Sequence, residues 1–439
     1  MTTSSGSRLD AMLPRRDRTS LLGRSLDLAL AGVSLLVAVF LAEGAVRWST
    51  TRYRNAAETF TTADPFRLWR PMPNTVQYLE HADSSRPFPL ITNNLGLRHP
   101  RDLALDRLEP STRIGLFGDS YLAQLGLPSP YLFPLPLEYL LNASAARFEV
   151  LNFGVSSYGV DQSYRTYLAT PLRDHLDVVV YFFCFNDINN IYETGLYDLA
   201  EDGSLVSLTA DLVPWWLSLL SRLHLTYFVL ERLGGFESLA RWKERQEREL
   251  VTAQQKRTSD DRDRSIFQGF HTEERENREL LHAVAVFNAV LTVWRNDVEA
   301  RGGTFLVVLL PVQLNRIFHR YIRGEYEVVD LFEDLSRRFP AFQVEREVLL
   351  RSIPYLSEAG NYLVASLLYE TFAALLGLTP GSPAWVEERL RVYYQAFADR
   401  PYAWLPKGTV GVEGADPAKV EALRERYLQL ELRLEHGKR

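Results

Sequence analysis

Arg113-Ile-Gly-Leu-Phe-Gly-Asp-Ser120 is the stretch on which the fold turns. Its apolar run, Ile114 to Phe117, has the pattern of a buried parallel strand. The run stops at Gly118-Asp119-Ser120, and Tyr121 opens a new segment. Glycine permits a sharp exit that leaves a serine hydroxyl at the strand's carboxyl end, where open α/β sheets hold their ligands. Ordinary strand-to-loop turns are also built from Gly, Asp and Ser, so the tripeptide takes its meaning from its company.

That company lies downstream. Phe148 to Phe153 is a second short strand, leading into Leu151-Asn-Phe-Gly154-Val-Ser-Ser-Tyr-Gly159. Val178 to Phe185 is a third, wholly apolar, ending at Asn186-Asp187. Between them a helix runs through Leu137, Leu140 and Leu141, and another, with Asp161 as its expected N-cap, runs through Tyr164, Tyr167 and Leu168. Strand, helix, strand, helix, strand is the βαβ pattern of a parallel sheet with helices on both faces.

Taken together, the three motifs resemble the SGNH (GDSL-type) hydrolase family over roughly residues 113–376. The resemblance implies a flavodoxin-like three-layer αβα sandwich with a central parallel sheet. It makes Ser120 the nucleophile and gives the oxyanion hole to the N–H groups of Ser120 and Gly154 and to the Asn186 amide. Elementary chemistry agrees, because a hydroxyl, a glycine turn and an amide at neighbouring strand ends can converge on one carbonyl oxygen. Asp119 belongs to the same turn and is a possible member of the site.

The fourth family motif departs from the pattern. The family takes its Asp and His from a short loop before the last helix. The matching stretch is Ser352-Ile-Pro-Tyr355-Leu-Ser-Glu-Ala-Gly360-Asn361. Tyr355 holds the histidine position, and Ile353 or Ser352 the aspartate position. Of the eight histidines, His319 alone is expected on a loop leaving a strand's carboxyl end, and it is the candidate for a relocated base; a surface or packing histidine is the alternative. A tyrosine is a poor base near neutral pH, with an unperturbed pKa of about 10.

The chain has 439 residues, 46% hydrophobic and 24% charged, with a formal charge of −6. That balance suits a globular protein and gives no reason to expect nucleic acid as a partner. The single cysteine, Cys184, allows no intrachain disulfide and is expected as a buried thiol. No metal-ligand spacing, phosphate-binding glycine loop or internal repeat occurs, so no metal or cofactor is expected.

Residues 1–24 carry several arginines and are expected as a cytoplasmic tail. Leu28 to Ala42 is free of charge, and with its flanks approaches the ~20 residues of a membrane-spanning helix. A signal-anchor helix over 25–46 is the expectation; a cleaved signal peptide and a buried helix are the rivals. The main domain would then lie outside the cytoplasm, on a single-pass anchor in the cell membrane. Residues 47–110 are expected as a linker with a small β element containing Asn94-Leu-Gly96-Leu-Arg98. Residues 111–378 form the hydrolase-like domain, interrupted by an insertion at about 188–280 that includes Trp215 and Trp216. Leu280, Val284, Phe287, Leu291, Trp294 and Val298 mark an amphipathic helix stopped by Gly302-Gly303. Thr304 to Leu310 is the next buried strand. Residues 379–439 are expected as a charged helical extension.

Two functional readings follow from the resemblance. One is an ester hydrolase or acyl transferase acting on an acylated glycan or lipid outside the cytoplasm. The other is a catalytically impaired protein of the same fold that binds such a ligand or scaffolds an envelope assembly.

Overall fold

The computed structural model describes residues 18–49, 61–64, 66–79, 88–99, 101–107, 111–144, 146–208, 225, 278–311, 319–338 and 355–398. In chain order the described strands are β1 (Thr61–Asp64), β2 (Leu68–Pro71), β3 (Val76–Leu79), β4 (Phe88–Ile91), β5 (Thr112–Gly118), β6 (Phe148–Asn152), β7 (Val178–Phe183), β8 (Tyr197–Leu199), β9 (Leu205–Ser207), β10 (Thr304–Leu309) and β11 (Glu327–Asp330). The described α-helices are α1 (Arg18–Ser49), α2 (Ser120–Ala123), α3 (Pro134–Leu141), α4 (Val160–Ala169), α5 (Asp187–Thr194), α6 (Arg278–Glu299), α7 (Leu331–Arg338), α8 (Glu358–Leu375) and α9 (Pro383–Ala398).

Strands β6, β5, β7, β10 and β11 lie side by side in that order, all parallel. By chain position this is the order 2-1-3-4-5 of a doubly wound sheet. The central strand β7 shows why its sequence is apolar without alternation. Val178, Val180 and Phe182 enter one core, while Val179, Tyr181 and Phe183 enter the other. α4, α5 and α6 cover the second face, and α3, α7, α8 and α9 cover the first.

The apolar spacing of residues 280–298 does form a helix, α6. Its Trp294 is fully buried, with ring centroids 5.3–5.8 Å from Phe117, Tyr164, Tyr167, Tyr181 and Phe305. Truncating such a side chain typically costs about 3–5 kcal/mol. The helix ends as its sequence suggests, with Gly302 at φ +78.

Some expectations need correction. Asp161 is not the N-cap of α4; Gly159 is, and Asp161 lies inside the first turn, fully buried. Its carboxylate accepts the Gln162 N–H (2.8 Å) and the Thr194 hydroxyl, so it ties α4 to α5 rather than opening α4. The start of the expected insertion belongs to the fold, since α5 supplies Ile188 and Ile191 to the core. Trp215 and Trp216 lie outside the described residues. So does the C-terminus beyond Ala398; the described part of the expected helical extension is α9, whose Val386 and Leu390 enter the core and whose Tyr393 hydroxyl donates to Pro130 O (3.0 Å).

At the N-terminus, α1 exposes Leu30, Leu35, Leu36, Phe40 and Leu41, with Phe40 78% exposed. The expected spanning helix finds no support here. Among the described residues, no helix is long and apolar enough to cross a membrane. Glu43, just past the charge-free run, is buried and accepts the Leu225 N–H (2.7 Å). The β element expected before the sheet consists of two antiparallel hairpins, β1–β2 and β3–β4.

Candidate active site

Ser120 is the first residue of α2, and Asp119 is its N-cap. The Asp119 carboxylate accepts the Tyr121 N–H (2.9 Å) and, more loosely, the Ser120 hydroxyl (3.3 Å). Ser120 stands at a helix start, where backbone N–H groups have no partner within the helix. Gly118 is held close to its neighbour strand: a Cβ there would lie 3.0 Å from Phe182 O.

Gly154 follows the neighbouring strand β6. Its N–H is donated to Asn152 Oδ1 (2.9 Å), and the Asn152 amide donates to Leu122 O (3.0 Å). Asn152 therefore binds the glycine turn to α2, a role the sequence motif contained but did not reveal. A Cβ on Gly154 would sit 2.7 Å from both Cβ and Cγ of Leu122. The glycine is there because α2 passes against its backbone.

Asn186 begins α5 beyond β7, the neighbour of β5 on its other side. Ser120, Gly154 and Asn186 thus follow the carboxyl ends of three adjacent strands. The Asn186 amide and the Cys184 thiol lie against the Asp119 carboxylate. Burial pushes Asp119 above the ordinary carboxylate range; the Tyr121 N–H, Cys184, Asn186 and Ser120 pull it back. Behind it, burial and then the Asp119 charge push Asp187 well up, although Asp187 accepts the Cys184 N–H (2.7 Å) and the Tyr181 hydroxyl. Cys184 is buried as expected, and burial, Asp119 and Asp187 push its thiol up. This acid pair was not foreseen; the Asn186-Asp187 end of the strand was its only trace in the sequence.

Tyr355 faces this group. It lies close enough to Ser120 for that hydroxyl to act on its ionisation. Burial raises its pKa, the Ser120 contact offsets part of the rise, and the charges of Asp119 and Cys184 add to it. The Tyr121 ring meets it edge-on at 5.5 Å. Ser352 and Ile353 lie outside the described residues. Ser357 caps α8 by accepting the Gly360 N–H (3.0 Å), and the buried Asn361 accepts the Phe133 N–H (2.9 Å), so this frame is anchored to the loop beyond α2.

His319 is not brought to Ser120. It lies 3.7 Å from Asp330 at the end of β11. β11 stands three strands from β5, and at ~4.8 Å per strand that is about 14 Å sideways. Among the other described histidines, His282 pairs with Asp198 (2.7 Å) on the surface, and His99 is fully buried, where desolvation lowers its pKa to about 3. Arg98 and Asn94 prove structural. Arg98 donates to Ser129 Oγ (3.2 Å) and to the carbonyls of Ala123, Gln124 and Leu127, and Asn94 is paired with Leu103. Among the described residues, no cluster of His, Cys, Asp and Glu could hold a metal ion.

No protein-family model matches the chain, and no curated protein matches it. Among solved structures it is similar to a chain described as a candidate lipolytic protein of the G-D-S-L family from Desulfitobacterium hafniense DCB-2. The identity is 11%, covering 59% of this chain and 99% of that one, with a TM-score of 0.29. At that level of superposition the likeness bears no weight on fold or site.

Proposed function

We propose that this is an SGNH/GDSL-type ester-handling protein. Its Ser120 site receives the acyl ester of a glycan or lipid outside the cytoplasm and turns it over slowly at neutral pH. One observation carries the reading: the Tyr355 side chain, edge-on to Tyr121, stands beside Ser120 where a general base would act. For Oγ to form a bond to an ester carbonyl it must lose its proton. A phenol with a raised pKa does not take that proton at neutral pH. Asp119 is the other acceptor, but Tyr121, Cys184, Asn186 and Ser120 all share its two oxygens. Loss of a triad member typically removes about three to six orders of magnitude in turnover.

The oxyanion side bears on the same point. Of its three expected donors, Gly154 N–H is given to Asn152 and the Asn186 amide lies on Asp119, which leaves the Ser120 N–H. A second reading, an active hydrolase or acyl transferase, draws support from that N–H and from the partial exposure of Ser120.

The test is labelling with a serine-reactive fluorophosphonate, comparing wild type with Ser120→Ala. Slow labelling that disappears in Ser120→Ala supports the reading. Rapid labelling at neutral pH favours the active enzyme. Labelling that persists in Ser120→Ala sinks both. The proposal extends to attachment at a membrane through the charge-free run 28–42, whose Leu36 and Phe40 are exposed on α1, with the main domain outside the cytoplasm. Release of the full chain by carbonate without detergent would count against that attachment.

A further inference from the structure

Beyond α2 the chain makes a short 3-10 turn, Ser129–Tyr131, which is clamped between two helices. The Phe133 N–H donates to Asn361 of α8 (2.9 Å), and the Tyr393 hydroxyl of α9 donates to Pro130 O (3.0 Å). The clamp brings tyrosines from all three elements into one row. The rings of Tyr131 and Tyr394 are stacked, with centroids 5.9 Å apart and planes at 22°; Tyr362 lies 5.9 Å from Tyr394, at 34°. All three residues are partly exposed, and Glu358, the first residue of α8, is exposed close enough for its charge to act on Tyr131 and Tyr394. Glu358 is the third residue after Tyr355, so their Cα atoms are at most about 11 Å apart. The row therefore flanks the Ser120 site.

Packing explains only part of this cluster. Tyr393 is a structural residue, buried and with its hydroxyl on Pro130. The Tyr394 hydroxyl, in contrast, is buried without a partner among the described residues, and the Tyr362 hydroxyl reaches Glu387 O only at 3.5 Å. A donor at the centre of the row thus lacks the acceptor that a ligand hydroxyl would supply. Burial, and then the Glu358 charge, push Tyr131 and Tyr394 up, so both remain neutral phenols at neutral pH. Ring faces carry partial negative charge. The C–H groups of a sugar are made slightly positive by the oxygens beside them, and its hydroxyls ring its edge, where a carboxylate can accept them. An acyl chain would leave Glu358 unused, and an anionic headgroup would be repelled by it.

We propose that Tyr131, Tyr394 and Tyr362 form a platform for an uncharged pyranose of the gluco type, whose flat C–H face stacks on the rings while its hydroxyls donate to Glu358. The proposal deepens the reading of the Ser120 site by choosing a glycan over a lipid. It rests on that reading for the ester, which the seated sugar would direct toward Ser120, but not for the binding of the sugar.

The test titrates the full chain with cellotriose and, separately, with chitotriose, and reads binding by saturation transfer to the sugar ring protons. We expect saturable binding of at least one, weakened about fivefold or more by Tyr131→Leu or Tyr362→Leu, which remove a ring face. Tyr131→Phe and Tyr362→Phe keep the ring and should bind within about twofold of wild type. Glu358→Ala, at an exposed position, should weaken binding as well. Ser120→Ala should leave the titration unchanged, so failed labelling at Ser120 would overturn the ester reading and leave this one standing. No saturable binding of either sugar, or binding undiminished in both Leu variants and in Glu358→Ala, overturns the proposal. Saturable binding of dihexanoylphosphatidylcholine in place of either sugar would assign the row to a lipid and likewise overturn it.

Discussion

If Tyr355 is the group that must take the Ser120 proton, the pH dependence of turnover follows from its environment. An ordinary phenol with a pKa of about 10 is phenolate in roughly one molecule per thousand at pH 7. Burial raises the Tyr355 pKa, and the nearby Asp119 and Cys184 charges add to the rise against the Ser120 hydroxyl, so its phenolate is rarer still. The reactive fraction then grows about tenfold per pH unit, or roughly a hundredfold between pH 7 and pH 9. The assay is hydrolysis of a generic nitrophenyl ester over that range, with the Ser120→Ala rate subtracted at each pH to remove attack by hydroxide. The Ser120-dependent rate should climb without a plateau, and Tyr355→Phe should abolish the climb. A plateau reached with a midpoint between about pH 6 and 7 would assign the proton to a histidine instead. Turnover indifferent to Tyr355→Phe would refute the role of Tyr355 altogether.

Ile353→Asp with Tyr355→His, which supplies a base and its orienting carboxylate at the family spacing, should raise Ser120-dependent hydrolysis by about three orders of magnitude or more, and should do nothing in a Ser120→Ala background. Gly154→Ala must push Leu122 away from a contact of 2.7 Å, so it should cost about 1–3 kcal/mol in urea denaturation; an unchanged midpoint would mean that α2 yields freely. His99 offers a stability test with a definite sign. Its folded pKa of about 3 lies below the ordinary 6.5, so between those values the unfolded chain binds a proton that the folded chain refuses. The stability advantage of wild type over His99→Gln should therefore fall by about 1.4 kcal/mol per pH unit as pH drops below 6.5, and parallel urea profiles at pH 7, 6 and 5 would contradict it.

The sheet was legible because it is buried on both faces. A strand such as Val178–Phe183 has no polar side to confuse its reading, and β5 and β6 carry glycine at their exits. The amphipathic α6 was legible for the complementary reason, a single apolar face of fixed period. Contacts made across the fold were not legible. Nothing local marks Asn152 as the residue that occupies the Gly154 N–H, or Arg98 as a clamp on carbonyls 25–29 residues away. Asp161 was misread because an acid near a helix start usually caps it, whereas here its partner is Thr194, 33 residues on. The place of Tyr355 against Ser120 was readable only through the Leu-Ser-Glu-Ala-Gly frame, whose N-cap is local while its tyrosine contact is not.

The residues around Gly118, Gly154 and Asn152 have a physical reason of their own. Gly118 is required because Phe182 O would lie 3.0 Å from any Cβ, and Gly154 because Leu122 would lie 2.7 Å away. Asp119 caps α2, and Asn152 ties the Gly154 turn to it. Each of these residues holds the sheet's carboxyl edge together whether or not an ester is ever cleaved. Their presence is therefore weak testimony for turnover. The Ser120 hydroxyl stands differently. Its neighbour from farthest along the chain is Tyr355, and its bond to Asp119 is loose at 3.3 Å, so folding gains little from it. On the proposed reading the pair Ser120 and Tyr355 decides the chemistry at this edge, and substitutions there, unlike those at the glycines, should alter reactivity far more than stability.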